Sequence, residues 1–248
     1  MQFSKRLDRF GNEIFAALNN RRMELEAQGM KIYNMSVGTP DFKTPEYIKK
    51  AVAEAAMDDN NWKYSLRDLP ELLEAVCTYY KKRFDVELTP DMVMTVYGSQ
   101  EGMGHLGMAL CDEGDTVFLP DPCYPVFAAG SLMAGAVPYY YPLVAEHDFL
   151  PYVKGIPEEV AKKAKYMVVS LPSNPVGSIA TPGLYEEIVN LRKNMIFSLF
   201  MIMHTAILSL TEHLEEASLQ HQGQKRSEWS SSAFPNPSML PVQGSAFW

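Results

Sequence analysis

Apolar positions along this chain follow two rhythms that take turns: a helical one, and short β-branched or aromatic runs. Ser4 to Gln28 carries the helical rhythm and is closed by Gly29, a residue suited to a helix C-cap. Lys31 to Met35 predicts a short extended piece. It leads into Ser36-Val37-Gly38-Thr39-Pro40-Asp41-Phe42, dense in turn formers, where Gly38 lets another group come close to the backbone. The same loop also serves as a plain connector, and both readings stand. Pro45 to Met57 predicts a second helix, with proline at the start where helices tolerate it. Asn60 to Arg67 is irregular, polar and aromatic. Asp68 is then the expected cap of a third helix reaching about Phe84, with Leu69, Leu72, Leu73, Val76, Tyr79 and Tyr80 on or near one face. Those aromatics read as core.

Thr89-Pro90-Asp91 breaks the chain, and strands begin. Val93 to Val96 is short and β-branched, as a buried strand is. Ser99, in Gly98-Ser99-Gln100, is the expected N-cap of a helix whose apolar face is Met103, Leu106, Met108 and Leu110. An acidic, glycine-bearing turn follows, then a second strand ending at Asp121. Further along come a helix from about Tyr124 to Ala134, a strand Ala136 to Tyr141, and a loop Pro151 to Pro157. Pro157 to Ala164 is a short helix, Tyr166 to Leu171 a strand, and Thr181-Pro182 opens a helix through about Leu191. Strands alternating with helices predict an α/β domain with a mostly parallel sheet. Loops at the carboxyl ends of such strands gather the ligand. Gly98-Ser99, Asp121 to Pro125 and Ser173 to Gly177 are such loops. A strand feeding a helix through Gly-Ser leaves free N–H groups at a positive helix end, an anion site and most often a phosphate site. The same residues make an ordinary capped connection, and on that stretch alone both readings remain open.

Composition narrows the class. The 248 residues suffice for one large domain or a domain and a half, and 47% are hydrophobic, enough for a sizeable core. A formal net charge of −8 argues against a general nucleic-acid or anionic-membrane binder. Cys77, Cys111 and Cys123 are few, odd in number and unclustered, which predicts reduced thiols in a cytoplasmic protein. The N-terminus carries acids early and lacks the apolar core of a signal peptide. The longest apolar run, Met195 to Met203, is far shorter than the roughly 20 residues of a membrane span. Five histidines lie scattered without ligand spacing, so no metal is expected.

One motif points elsewhere. Gly102-Met103-Gly104-His105-Leu106-Gly107 fits G-x-G-x-x-G, and Asp121 ends the next strand, as in a dinucleotide fingerprint. The fingerprint's first glycine should follow its strand directly. Gly102 lies several residues on, inside the predicted helix, so these glycines read as close-packing positions, with dinucleotide binding kept as a rival.

Taken together, five stretches resemble the class I/II aminotransferases, pyridoxal-phosphate (PLP) enzymes of fold type I. They are S-V-G-T-P-D-F (36–42), Y-S-L-R-D-L-P-E-L-L-E-A-V (64–76), Y-G-S-Q-E-G (97–102), D-P-C-Y-P (121–125) and S-N-P-V-G (173–177). Each is weak alone; five in order are specific, and they cover residues 1 to about 190. The nearest flavour is the branch around LL-diaminopimelate aminotransferase, with the substrate left open. The resemblance implies a three-layer PLP-dependent transferase large domain behind an N-terminal helical arm. Residues 1–40 would be the arm or part of a small domain, and 41–191 a partial large domain. It implies that Ser99 and Gln100 bind the PLP phosphate, Tyr124 stacks on the pyridine ring, and Asn174 hydrogen-bonds its phenolic oxygen. Tyr64 would reach the phosphate of a neighbouring subunit, because the family's sites form across a homodimer. Gly38 would bound the substrate carboxylate, the substrates being an amino acid and a 2-oxo acid. Val176 stands where the family usually has Thr, a tolerable change.

The larger departure follows Leu191. The family needs an Asp facing the pyridinium nitrogen, a nearby Tyr, a Schiff-base Lys in S-x-S-K and an Arg for the substrate carboxylate. The expected H-D-N-A-Y is missing, no S-x-S-K occurs, and the chain ends in a Ser/Gln-rich tail. The expectation is a truncated, inactive chain with no catalytic lysine. Its residues 192–248 read as out of frame and poorly ordered. Regrouping the codons of Met201-Ile202-Met203-His204-Thr205 one base earlier forces GAT (Asp) and GCA (Ala) and permits H-D-N-A-Y. The same shift permits D-G-x-x-G-G-S-F through Ser209 to Ser218, and E-F-F-S-L-S-K-S through Trp229 to Pro237. On this reading Met195 to Met203 either fills the place of a lost strand or stays an exposed apolar segment.

Overall fold

The computed structural model describes residues 2–10, 14–35, 43–194 and 198–202. They divide into two compact units, one up to Leu66 and one from Arg67 onward. The Ser36–Phe42 loop, and the tail beyond Ile202, lie outside the described residues.

The first unit is helical. A 3-10 turn, Lys5–Arg9, precedes helix α1, Ile14–Ala27. The continuous helix expected from Ser4 to Gln28 is therefore two pieces. Ser4 caps the turn by accepting from the Arg6 N–H, and Phe10 ends it in extended backbone. Gly29 closes α1 as expected, at φ +80, with the Met30 N–H reaching back to the Leu25 carbonyl at 3.1 Å. Helix α2, Glu46–Met57, starts after Pro45. Two of its last carbonyls are satisfied from beyond the helix: Trp62 Nε1 donates to Ala56 at 2.9 Å and Asn61 Nδ2 to Ala55 at 2.8 Å. No described side chain up to Leu66 is buried, so the described residues of this unit form no core of their own.

The second unit opens with α3, Pro70–Phe84. Its N-cap is Leu69, where Asp68 was expected. Pro70 starts the helix, and the Asp68 carboxylate instead accepts hydrogen bonds from the Thr95 N–H, at 3.0 Å, and from the Thr95 hydroxyl. Of the predicted apolar face, Tyr80 is buried with Val86 and flanked by Val76 and Leu88, while Leu69 and Leu72 are exposed.

The strand expected at Val93–Val96 does not form. The segment is extended but has no ladder partner among the described residues, and the Thr95 N–H is spent on Asp68. The chain then turns into α4, Ser99–Leu110, at Gly98, which serves as N-cap with φ +85. Ser99 is thus the first helical residue. It is not the cap, because the positive φ that glycine tolerates lets the turn occur one residue earlier.

The sheet lies beyond. Strand β1 is Thr116–Asp121, α5 Val126–Ala134, β2 Val137–Pro142, α6 Glu158–Ala161, β3 Ala164–Ser170, α7 Leu184–Asn194 and β4 Ser198–Ile202. All pairings are parallel, in the order β2-β1-β3-β4. Alternate residues of β1 and β3 face opposite layers. Val117, Leu119, Tyr166 and Val168 pack with Met103 of α4 and Phe127 of α5. Phe118, Met167 and Val169 pack with Leu184, Ile188 and Val189 of α7. Helices on both faces explain why these strands read as continuous apolar runs. Across the sheet, the buried Tyr141 hydroxyl donates to the Val168 carbonyl at 2.6 Å. β4 sits beside β3, with Ser198 opposite Tyr166 and Ile202 opposite Ser170. The strand reading of the Met195–Met203 run therefore holds for these five residues.

Candidate functional site

The strand order reverses at β1. The chain leaves β1 for β2 on one side and returns to β3 on the other. Parallel α/β sheets bind ligands at the carboxyl ends of strands flanking such a switch point. The loop Asp121–Pro125 follows β1 there, and the loop Leu171–Gly177 follows β3.

The N-terminus of α4 joins them. Gln100, in the first turn, donates from Nε2 to the Tyr124 hydroxyl at 2.7 Å. Ser99 is 7% exposed, with its backbone N–H among the first of the helix, which have no carbonyl within the helix to bond. Nothing lies within 4 Å of where a Cβ on Gly98 would stand, so the turn before the helix is open. Glu101 reaches back to accept the Tyr97 N–H at 2.5 Å. This brace was missed in the sequence, although an acid three residues after a cap is a known helix-start signal. The Tyr124 ring is half-buried and packs edge-on against Phe127, centroids 6.0 Å apart at 68°. Phe127 was missed as well, because it reads as ordinary core.

What fixes α4 against α5 is glycine. A Cβ on Gly107 would lie 2.2 Å from the Gly130 carbonyl carbon, and a Cβ on Gly130 would lie 2.3 Å from the Gly104 carbonyl oxygen. The two backbones touch. Gly102, Gly104 and Gly107 all lie within α4, and Gly107 packs against α5, so the fingerprint geometry of a dinucleotide site is not met.

Asn174 stands exposed in the loop after β3, across the switch point from Tyr124. That loop is braced by Ser173 N–H to the Ser178 carbonyl at 2.8 Å and Gly177 N–H to the Ser173 carbonyl at 2.7 Å. The peptide bonds before Pro122, Pro172 and Pro175 are cis. Tyr64 belongs to the first unit and is 89% exposed. Gly38 lies outside the described residues. The structure thus joins Gln100 to Tyr124 directly, with Ser99 beside Gln100 in the first turn of α4 and Asn174 on the adjoining strand's loop. Burial pushes the Cys123 thiol up to about 11, with the Asp121 carboxylate adding to it, so this cysteine is no ready nucleophile.

Fold and loops define the large domain of the fold-type I PLP-dependent transferases. Among solved structures, alanine aminotransferase from Pyrococcus furiosus superposes with a TM-score of 0.74 at 28% identity, covering 81% of this chain and 52% of that one. The sequence goes further: residues 30–205 match the model of aminotransferase class I and II, and the chain belongs to that family. It is 40% identical over 194 residues to the LL-diaminopimelate aminotransferase of Aquifex aeolicus, covering 77% of this chain and 50% of that relative. To LL-diaminopimelate aminotransferase 2 of Trichormus variabilis it is 41% identical over 192 residues, covering 76% and 49%. The chain spans about half the length of the curated relatives it matches.

The residues present fit three parts of PLP. An open helix N-terminus with an amide side chain suits the phosphate, an aromatic face suits the ring, and an exposed amide after β3 suits a phenolic oxygen.

Proposed function

We propose that this chain carries the cofactor-holding half of an aminotransferase that uses PLP to move an amino group between an amino acid and a 2-oxo acid. The observation that supports it most is the Gln100–Tyr124 hydrogen bond, which ties an anion-binding helix end to an aromatic ring at the switch point. When bound, PLP supplies the electron sink for amino-group transfer. The chain's own residues hold it: Ser99 and Gln100 bind the phosphate, Tyr124 covers the ring, and Asn174 donates to its phenolic oxygen. Tyr64 reaches the phosphate held by a second copy in a homodimer, and Gly38 bounds the substrate carboxylate. The curated relatives' names favour a diamino dicarboxylic acid as amino donor, and the few, unclustered cysteines support a cytoplasmic setting.

The sequence holds no S-x-S-K, so the chain as it stands binds PLP reversibly and does not transaminate. The out-of-frame reading of residues 192–248 gives the reason. The test is PLP titration of the full chain. PLP at about a hundred times its Kd should raise stability by about 2.7 kcal/mol, whereas NAD should leave the melting temperature unchanged. Beside it, the gene is resequenced through codons 185–240, and a chain with one base restored is assayed for transamination. No PLP response from the present chain rejects the binding reading. Turnover by the present chain rejects the inactivity reading.

A further inference from the structure

We infer that Gln100 is a positioning residue for Tyr124, so that recognition of the cofactor's phosphate and stacking on its ring are coupled through one hydrogen bond. This rests on the PLP reading above. A tyrosine ring turns about χ2 in a broad, two-fold well, so stacking needs its plane held from outside. At least two contacts hold Tyr124. Phe127 meets it edge-on at 6.0 Å, and Gln100 Nε2 donates to its hydroxyl at 2.7 Å. Gln100 is itself in the first turn of α4, one residue after Ser99, at the positive helix end that an anion would order. The Gly107–Gly130 backbone contact keeps α4 and α5 from sliding, so the tether spans a fixed gap. A phosphate that orders the α4 terminus therefore orders Gln100, and Gln100 orders the ring.

The experiment is a double-mutant cycle on the full chain with Gln100→Met, Tyr124→Phe and the pair, reading the Kd for PLP and for pyridoxal, which lacks the phosphate. Each single change should weaken PLP about three- to tenfold, the net worth of one hydrogen bond, and the pair should weaken it no further than the worse single. Pyridoxal, without an anion to order the α4 terminus, should lose less than PLP in every variant. The visible circular dichroism of bound PLP should change alike in both singles, because it reports ring placement. Independent effects that multiply, or coupling seen in melting temperature but absent from PLP binding, overturn the inference and leave the PLP reading intact. Failure of the unaltered chain to bind PLP overturns both.

Discussion

Asp68 shows how one carboxylate can be claimed by a contact that sequence spacing does not reveal. Its position before an apolar helix is that of a cap, yet Thr95, 27 residues on, donates to it twice. Those bonds favour the charged form and hold its carboxyl below the usual range. Buried thiols show the opposite shift. Burial, with Asp115 adding to it, pushes the Cys111 thiol up to about 11, and Cys123 stands at about 11 for the same first cause. The unfolded thiol titrates near about 8.5. Between those values the folded chain holds protons that the unfolded chain has released, so stability is full below about 8.5 and falls as pH rises towards the folded value. The urea midpoint should therefore drop between about pH 7 and about pH 9.5, and drop less in Cys111→Ala. An unchanged slope in that variant would remove Cys111 as a cause.

At the scale of elements, the contact between α4 and α5 decides where the site stands. Gly107 is where the two backbones touch, with no room for a methyl group. Gly107→Ala should cost about 1–3 kcal/mol by urea unfolding, because the helices must move apart. Gly104→Ala is the control. A Cβ there meets nothing within 4 Å, and alanine favours a helix by about 1 kcal/mol over glycine. It should be neutral or stabilising. If both variants behave alike, helix propensity governs and close packing does not. The same separation should carry Gln100 away from Tyr124 and weaken PLP in Gly107→Ala alone.

For the whole molecule, the sheet and the first unit raise different questions. Sheet order β2-β1-β3-β4 leaves β4 with a described partner on one side only. In a parallel pair, adjacent residues send their N–H groups to opposite sides. Proline at Leu199 or at Phe200 should thus cost about 1–3 kcal/mol at one position and far less at the other. Equal, negligible losses would mean that β4 does not belong to the cooperative fold. The first unit is another matter. Tyr33, Tyr47, Trp62, Tyr64 and Leu66 are exposed, and no described side chain up to Leu66 is buried. Such apolar exposure is what an interaction surface presents.

The sequence by itself determined the alternation of helices and strands from Thr116 onward, the parallel sheet, the loops that line its carboxyl edge, and the family. These are legible because a strand covered on both faces must be apolar throughout, and because turns need glycine and proline at fixed places. Tertiary structure alone decided that Val93–Val96 is not a strand, since a strand requires a partner and its Thr95 N–H went to a distant carboxylate. It decided that Gly98, and not Ser99, caps α4, because a backbone angle of φ +85 chooses the residue that tolerates it. It also decided that Gln100 meets Tyr124. Those two residues lie 24 positions apart, and only two helices touching at glycine bring them to one hydrogen bond.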